Sequence, residues 1–104
     1  MVEFNYDSEV DILTVDRESR RPEDYQESIP VGDYVVDVDE DGRFLGLEVL
    51  NASQNLPFTV EELESIESVE LEVKDRSGAE TVSVDMRYSG NKGKFSLGYE
   101  SVKA

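Results

Sequence analysis

The sequence predicts an α+β fold that is mainly antiparallel sheet, with about seven strands in the order ββββαβββ and one short helix. Short runs of alternating apolar and polar residues are separated by turn residues, and only one segment carries a helix start signal. Strands and helices do not alternate, which argues against a parallel sheet. Because 104 residues can build one hydrophobic core but not two, we predict a single domain over residues 1–104.

The first two strands are predicted to form a hairpin. Residues 2–7 alternate between apolar and polar side chains, and a second short run follows at residues 12–15. A period of two is typical of a half-buried strand. The alternation then disappears between residues 17 and 30, so we expect a long loop there, with a short extended piece near Ile29.

A second hairpin is predicted around Gly42. Alternating runs at residues 34–38 and 45–49 flank the pair Asp41-Gly42. An Asp-Gly pair between two such runs favours a two-residue type I′ turn, because both central residues of that turn need positive φ.

One helix is predicted at about residues 59–67, followed by three strands. Thr59 and Glu62 have the spacing of a capping box, and Phe58 can pack on Leu63 as a hydrophobic staple. Such a short helix cannot cover a seven-stranded sheet. Either the sheet curls, or its two halves pack together, or a second copy of the chain covers it in a homodimer.

The charge of the chain limits its partners. Asp and Glu number 25 against 10 Lys and Arg, for a formal charge of −15. This surface repels phosphates and anionic lipids, so neither nucleic acid nor membrane is a predicted partner. We interpret the charge as halophilic adaptation, because salt screens the self-repulsion. The alternative is an ordinary acidic protein whose charge serves solubility.

The chemistry open to the chain is also narrow. There is no cysteine and no histidine, which excludes thiolate and imidazole chemistry. We predict no catalytic residue, no cofactor and no enzymatic activity. The first residues form neither a signal peptide nor a membrane span, so a cytoplasmic location is expected.

Two motifs carry a resemblance to a known family. The first is Tyr6-Asp7-Ser8-Glu9-Val10-Asp11-Ile12-Leu13, and the second lies within residues 33–53 and includes Asp37-Val38-Asp39-Glu40-Asp41-Gly42. Over about its first two-thirds the chain resembles a family of small uncharacterised prokaryotic proteins called domain of unknown function 2283. The resemblance implies a sheet-plus-helix domain and no established activity. Residues 1–67 would be the family-like part, and residues 68–104 a C-terminal β-meander extension.

An acidic loop gives the first candidate site. The carboxylates with the spacing of a calcium-binding EF-hand loop are Asp37, Asp39, Asp41 and Glu48. An EF-hand requires flanking helices, whereas these flanks read as strands, so we favour a hairpin with solvated acidic side chains. Divalent-cation binding through these four residues stays open as the alternative function.

Basic and acidic clusters give the remaining candidates. Arg17, Arg20 and Arg21 could bind an acidic partner or a phosphate, or could pair with neighbouring acidic residues. Carboxylates at positions 7, 9 and 11 could support acid-base chemistry, although an Asx-turn at Asp7 is favoured. The leading hypothesis is a non-catalytic interaction module that self-associates or docks a cognate protein, through a sheet face or through residues 17–30.

Overall fold

Two antiparallel sheets face each other across one core in the computed structural model, which describes residues 2–100. The first sheet has the order β1-β2-β5-β4-β3, with the strands β1 (Glu3–Asp7), β2 (Ile12–Asp16), β3 (Glu27–Val31), β4 (Tyr34–Val38) and β5 (Phe44–Val49). The second sheet has the order β6-β7-β8, with the strands β6 (Ile66–Arg76), β7 (Ala79–Tyr88) and β8 (Asn91–Glu100). The predicted α+β class is confirmed. Of the three arrangements considered for the strands, the structure has the one in which they divide into two parts that pack together.

One strand and one helix differ from the sequence prediction. The extended piece expected near Ile29 is a full strand, β3, which pairs with β4 at the edge of the first sheet. Its sequence lacks clear alternation and contains Pro30, which an edge strand tolerates because one side of it needs no ladder hydrogen bonds. A short helix, α1 (Ala52–Asn55), follows β5 in a segment for which the sequence predicted no helix.

The hairpin around Gly42 is confirmed, but its turn is of another type. The N–H of Gly42 donates to the carbonyl of Asp39, and the N–H of Asp39 donates to the carbonyl of Arg43. Gly42 has a φ of 78°, whereas Asp41 is not among the residues with positive φ. The turn therefore has one left-handed residue, a glycine, instead of the two that a type I′ turn requires.

The capping-box helix is confirmed and is shorter than expected. It is α2 (Val60–Glu64), and the Thr59 hydroxyl accepts from the Glu62 N–H while the Glu62 carboxylate accepts from the Thr59 N–H. Leu63 is buried in the common core. Residues 66–67 belong to β6 instead.

Aromatic pairs join the sheets and the α1–α2 connection. Tyr34 of the first sheet stacks on Phe95 of the second, with ring centroids 6.3 Å apart. Phe58 packs edge-on against Tyr88, with ring centroids 5.5 Å apart.

The second sheet has strands of 10 or 11 residues and the first has strands of 5 or 6. Part of the inner face of the second sheet therefore extends beyond the first, as the 41% exposure of Val73 shows.

Candidate functional site

A polar ladder crosses the outer face of the first sheet. Asp16 of β2, Gly46 of β5 and Asp37 of β4 are aligned as cross-strand partners. The Arg20 guanidinium bridges the two carboxylates, with Nη1 2.8 Å from Asp16 Oδ1 and Nη2 2.9 Å from Asp37 Oδ2. A Cβ at position 46 would lie 2.1 Å from Asp16 Oδ1 and 2.8 Å from Arg20 Nη1. The glycine therefore provides the space in which this bridge lies.

The bridge holds Arg20 in its charged form. Burial lowers the pKa of Arg20, but the hydrogen bonds and charges of Asp37 and Asp16 outweigh it and raise the pKa above its ordinary value. Both carboxylates are also partly buried. The arginine and the two aspartates consequently act as one structural unit that ties residue 20, in the loop, to two strands.

The ladder continues to an exposed aromatic ring. The Ser28 hydroxyl donates to Asp37 Oδ1 at 2.7 Å, and the Tyr25 hydroxyl lies 2.8 Å from Ser28 Oγ. Since Ser28 uses its proton on Asp37, Tyr25 is the donor in the second bond. Tyr25 is 46% exposed. A chain of hydrogen bonds from Arg20 thus fixes a large, solvent-exposed side chain.

Acidic residues surround this ring. A cavity of about 260 Å³ lies beside Tyr25. Its lining consists of Tyr25, Glu23, Asp24, Gln26, Asp39, Glu40 and Asp41. The lining combines the 3₁₀ turn Pro22–Asp24 with the turn that joins β4 to β5. We call these seven residues the Tyr25 surface.

The four residues predicted as cation ligands do not converge. Asp37 is bound by Arg20 and Ser28, and Asp39 Oδ1 accepts from the backbone N–H groups of Asp41 and Arg43. Glu48 is exposed on the outer face of β5, opposite Thr14 and Val35. Within residues 2–100 no group of three or more carboxylates is placed to hold a metal ion. Cation binding in solution stays a prediction.

The three arginines predicted to bind a partner occupy different places. Arg20 lies in the ladder, and Arg21 is exposed, with Nε 3.6 Å from Glu23 and Nη2 3.8 Å from Asp24. Arg17 follows β2, and its N–H donates to the carbonyl of Leu45. Its side chain borders a cleft between the two sheets. The expected pairing with neighbouring acidic residues on the surface is therefore found for Arg21. Arg20 pairs with Asp16 and Asp37 instead, and Arg17 forms no ion pair with any residue within 2–100.

The acidic cluster at the first turn has structural partners. Asp7 forms the expected Asx-turn, accepting from the Glu9 N–H at 3.0 Å. Asp11 accepts from Tyr6 and Ser53. Burial raises the pKa of Asp11, but these hydrogen bonds outweigh it and lower the pKa below its ordinary value, while burial and Asp11 together raise the pKa of Tyr6 to about 12.

A buried carboxylate on the second sheet was missed from the sequence. Glu80 is only 5% exposed, and the Tyr99 hydroxyl donates to it while lying 3.2 Å from the carbonyl oxygen of Gly42. Burial and the neighbouring Glu80 raise the pKa of Tyr99. This contact fastens the β4–β5 turn to the second sheet. Glu80 lies at an inward-facing position of an alternating strand, which was the available signal.

Comparison with known protein families gives a match over about the first half of the chain. Residues 3–53 match the family described as protein of unknown function (DUF2283). The match spans β1 to the start of α1, about half of the chain. No curated protein and no solved structure matches the sequence. No helix within residues 2–100 has the length and apolar character that a membrane crossing requires.

Proposed function

We propose that this chain, which belongs through residues 3–53 to the DUF2283 family of proteins of unknown function, is a non-catalytic interaction module. It docks a basic protein partner on the Tyr25 surface. The module would act in a salt-rich cytoplasm. The observation that supports this proposal is the fixed position of an exposed tyrosine. The Arg20–Asp37–Ser28 hydrogen-bond chain holds its hydroxyl, and acidic residues surround it.

The fixed ring reduces the cost of binding. Ordering a mobile side chain at an interface costs roughly 0.5–1.5 kcal/mol, and tyrosine has only two side-chain torsions to order. Here the Ser28 hydrogen bond already restrains the tip of Tyr25, and the sheet restrains Ser28. Tyrosine is also among the residues most enriched at interface hot spots.

The surrounding charge selects the chemistry of the partner. Four of the residues that line the cavity beside Tyr25 are Glu23, Asp24, Asp39 and Asp41. A lysine or arginine from a partner could contact these carboxylates and lie over the tyrosine ring, where a cation–π contact contributes about 0.5–1 kcal/mol at an exposed site. The net charge of −15 would draw such a partner in from a distance.

The non-catalytic part of the proposal rests on how the carboxylates are used. Asp11 holds Ser53, Asp37 holds Arg20, and Glu80 holds Tyr99. Each of these is committed to a structural contact. A carboxylate enzyme needs two such groups facing one substrate position.

The test uses a defined lysine- and arginine-rich peptide and NMR titration of the whole chain at two salt concentrations. We expect shifts centred on Tyr25 and Asp41, and we expect Tyr25→Ala to weaken binding about tenfold, as for a moderate hot spot. Ser28→Ala should weaken it less, because it frees the ring without removing it.

The matched control is Glu72→Gln, which removes an exposed carboxylate on β6 away from the Tyr25 surface. It should change the affinity less than about twofold, the effect of one remote charge. Equal weakening by Glu72→Gln and by Tyr25→Ala, or shifts spread evenly over the acidic surface, would show attraction by net charge alone and overturn the proposal.

A further inference from the structure

The cleft that the Arg17 side chain borders lies between the two sheets. It has a volume of about 420 Å³, within the usual range of small-ligand pockets. Arg17 and Arg43 border it from the first sheet, and Leu71, Val73 and Glu80 border it from the second. It is separate from the Tyr25 surface, with which it shares no lining residue.

Arg17 is placed in this cleft by strand alternation. Val15 faces the core and Asp16 faces outward, so Arg17, whose N–H extends the β2–β5 pairing, returns to the inner face. Its Nε atom is buried, and no group within the described chain accepts a hydrogen bond from it. A buried donor without an acceptor destabilises the folded protein. The cleft is therefore bordered by a cationic side chain whose Nε donor no residue within 2–100 uses.

Arg43 adds a second cation at the same cleft. It is exposed immediately before β5, next to the buried ring of Phe44. Neither Arg17 nor Arg43 forms an ion pair with any residue that the structure describes. In a chain with 25 acidic residues, two arginines at one cleft without such partners indicate an anion that comes from outside.

The opposite wall is apolar. Leu71 and Val73 alternate with glutamates along β6 and face inward, and Val73 is nevertheless 41% exposed. Phe44 extends this apolar surface from the first sheet. Covering these side chains with a hydrocarbon would be favourable, because it removes apolar surface from water.

We propose that the cleft binds a small amphipathic monocarboxylate, with the carboxylate against Arg17 and Arg43 and the hydrocarbon chain along Leu71 and Val73. An arginine fork matches the two oxygens of a carboxylate. Glu18 and Glu80 also border the cleft, so a ligand with two negative charges, such as a phosphate monoester, would meet repulsion that a single charge largely escapes.

The test is calorimetry on the whole chain in about 1 M salt, where long-range repulsion is screened. The probes are straight-chain carboxylates of increasing length, the alcohol of matching length, and inorganic phosphate. Each added methylene should tighten carboxylate binding by about fourfold until the cleft is filled, because one buried CH₂ contributes about 0.8 kcal/mol. The alcohol and phosphate should bind at least about tenfold more weakly.

Variants locate the site. Arg43→Gln, at an exposed position, and Arg17→Gln should each weaken carboxylate binding about tenfold. Val73→Asp should abolish binding by placing a like charge on the apolar wall. Arg76→Gln, an exposed arginine at the β6–β7 turn, is the matched control and should leave the affinity unchanged.

Two results would overturn the proposal. One is equal binding of the carboxylate and the alcohol, which would show a purely apolar surface. The other is equal loss in Arg43→Gln and Arg76→Gln, which would show attraction by total charge. An unfolded Arg17→Gln chain would leave the decision to Arg43→Gln and Val73→Asp.

Discussion

The carboxylate of Asp11 accepts hydrogen bonds from both the backbone N–H and the hydroxyl of Ser53, a residue 42 positions later in the chain. The carbonyl of Asp11 also accepts from the N–H of Ala52. The β1–β2 turn thereby satisfies backbone donors at the start of α1, which has no cap from its own Asn51 side chain. The family match ends at Ser53, so this contact joins the last matched residue to the β1–β2 turn.

Asp11→Asn should lower the free energy of unfolding by about 1–2 kcal/mol near neutral pH, because it removes the charge from three hydrogen bonds. The pKa of Asp11 is lowered in the folded state, so the contribution of the carboxylate is present above its unfolded pKa of about 4 and is lost as the pH falls through the folded pKa. The difference between the two proteins should therefore shrink in acid. Urea unfolding across this pH range measures it.

Glu9→Gln is the control for this pH series, because Glu9 is an exposed carboxylate of the same turn. It should follow the wild type at every pH. A constant difference between wild type and Asp11→Asn down to about pH 2 would mean that the ionised carboxylate contributes nothing.

Local signals in the sequence predicted local structure well. The capping box at Thr59 and the hairpin at Gly42 each depend on residues a few positions apart, and both are present. The contact that Asp37 makes with Arg20 depends instead on the order of the strands in the sheet. Because β5 lies between β2 and β4, Arg20 reaches Asp37 across Gly46, and no spacing along the chain encodes that meeting.

One signal for the ladder was nevertheless present. A glycine inside an alternating strand marks a close approach of another group, and Gly46 is such a residue. The sequence pattern predicts Asp37 as a candidate cation ligand and Arg20 as a candidate partner-binding residue. The structure pairs them with each other.

Gly46→Ala should destabilise the fold by about 1–3 kcal/mol, the usual cost of overpacking. The new methyl group would displace Asp16 and the Arg20 guanidinium from their contact. Binding of a basic peptide on the Tyr25 surface should weaken too, because Asp37 and Ser28 would lose their support. Denaturant unfolding and peptide titration test the two effects separately.

Gly98→Ala is the matched control. Its Cβ would approach only the Glu80 carbonyl oxygen, at 3.7 Å, and its backbone is ordinary strand. It should be neutral or stabilising by up to about 1 kcal/mol. Similar losses in both variants would show that any side chain is harmful in these strands and that the ladder is irrelevant.

Gly93→Ala should destabilise through Phe58. The added Cβ would lie 2.3 Å from Phe58 Cε1, and that ring packs edge-on against Tyr88. We expect a loss of about 1–3 kcal/mol. Phe58→Leu makes room, so the double variant should lose less than the sum of the two single variants. Additive losses in thermal unfolding would contradict this contact.

The stability of the whole domain should rise with salt. Folding brings 25 acidic and 10 basic residues onto a small surface, and the resulting repulsion is screened as the Debye length falls from about 10 Å at 0.1 M to about 3 Å at 1 M. Repulsion opposes the folded state more than the expanded chain, in which the charges are further apart. The free energy of unfolding should therefore increase steadily from dilute buffer to molar KCl.

Two comparisons isolate the screening. Sucrose stabilises by exclusion from the surface without screening charge, so its effect should be the same in the wild type and in a variant carrying Glu70→Gln and Glu72→Gln, two exposed positions on β6. The KCl dependence should be weaker in that variant, because two repelling charges are gone. If KCl affects both proteins equally, the salt acts through general exclusion, and the charge of −15 serves solubility instead of adaptation to salt.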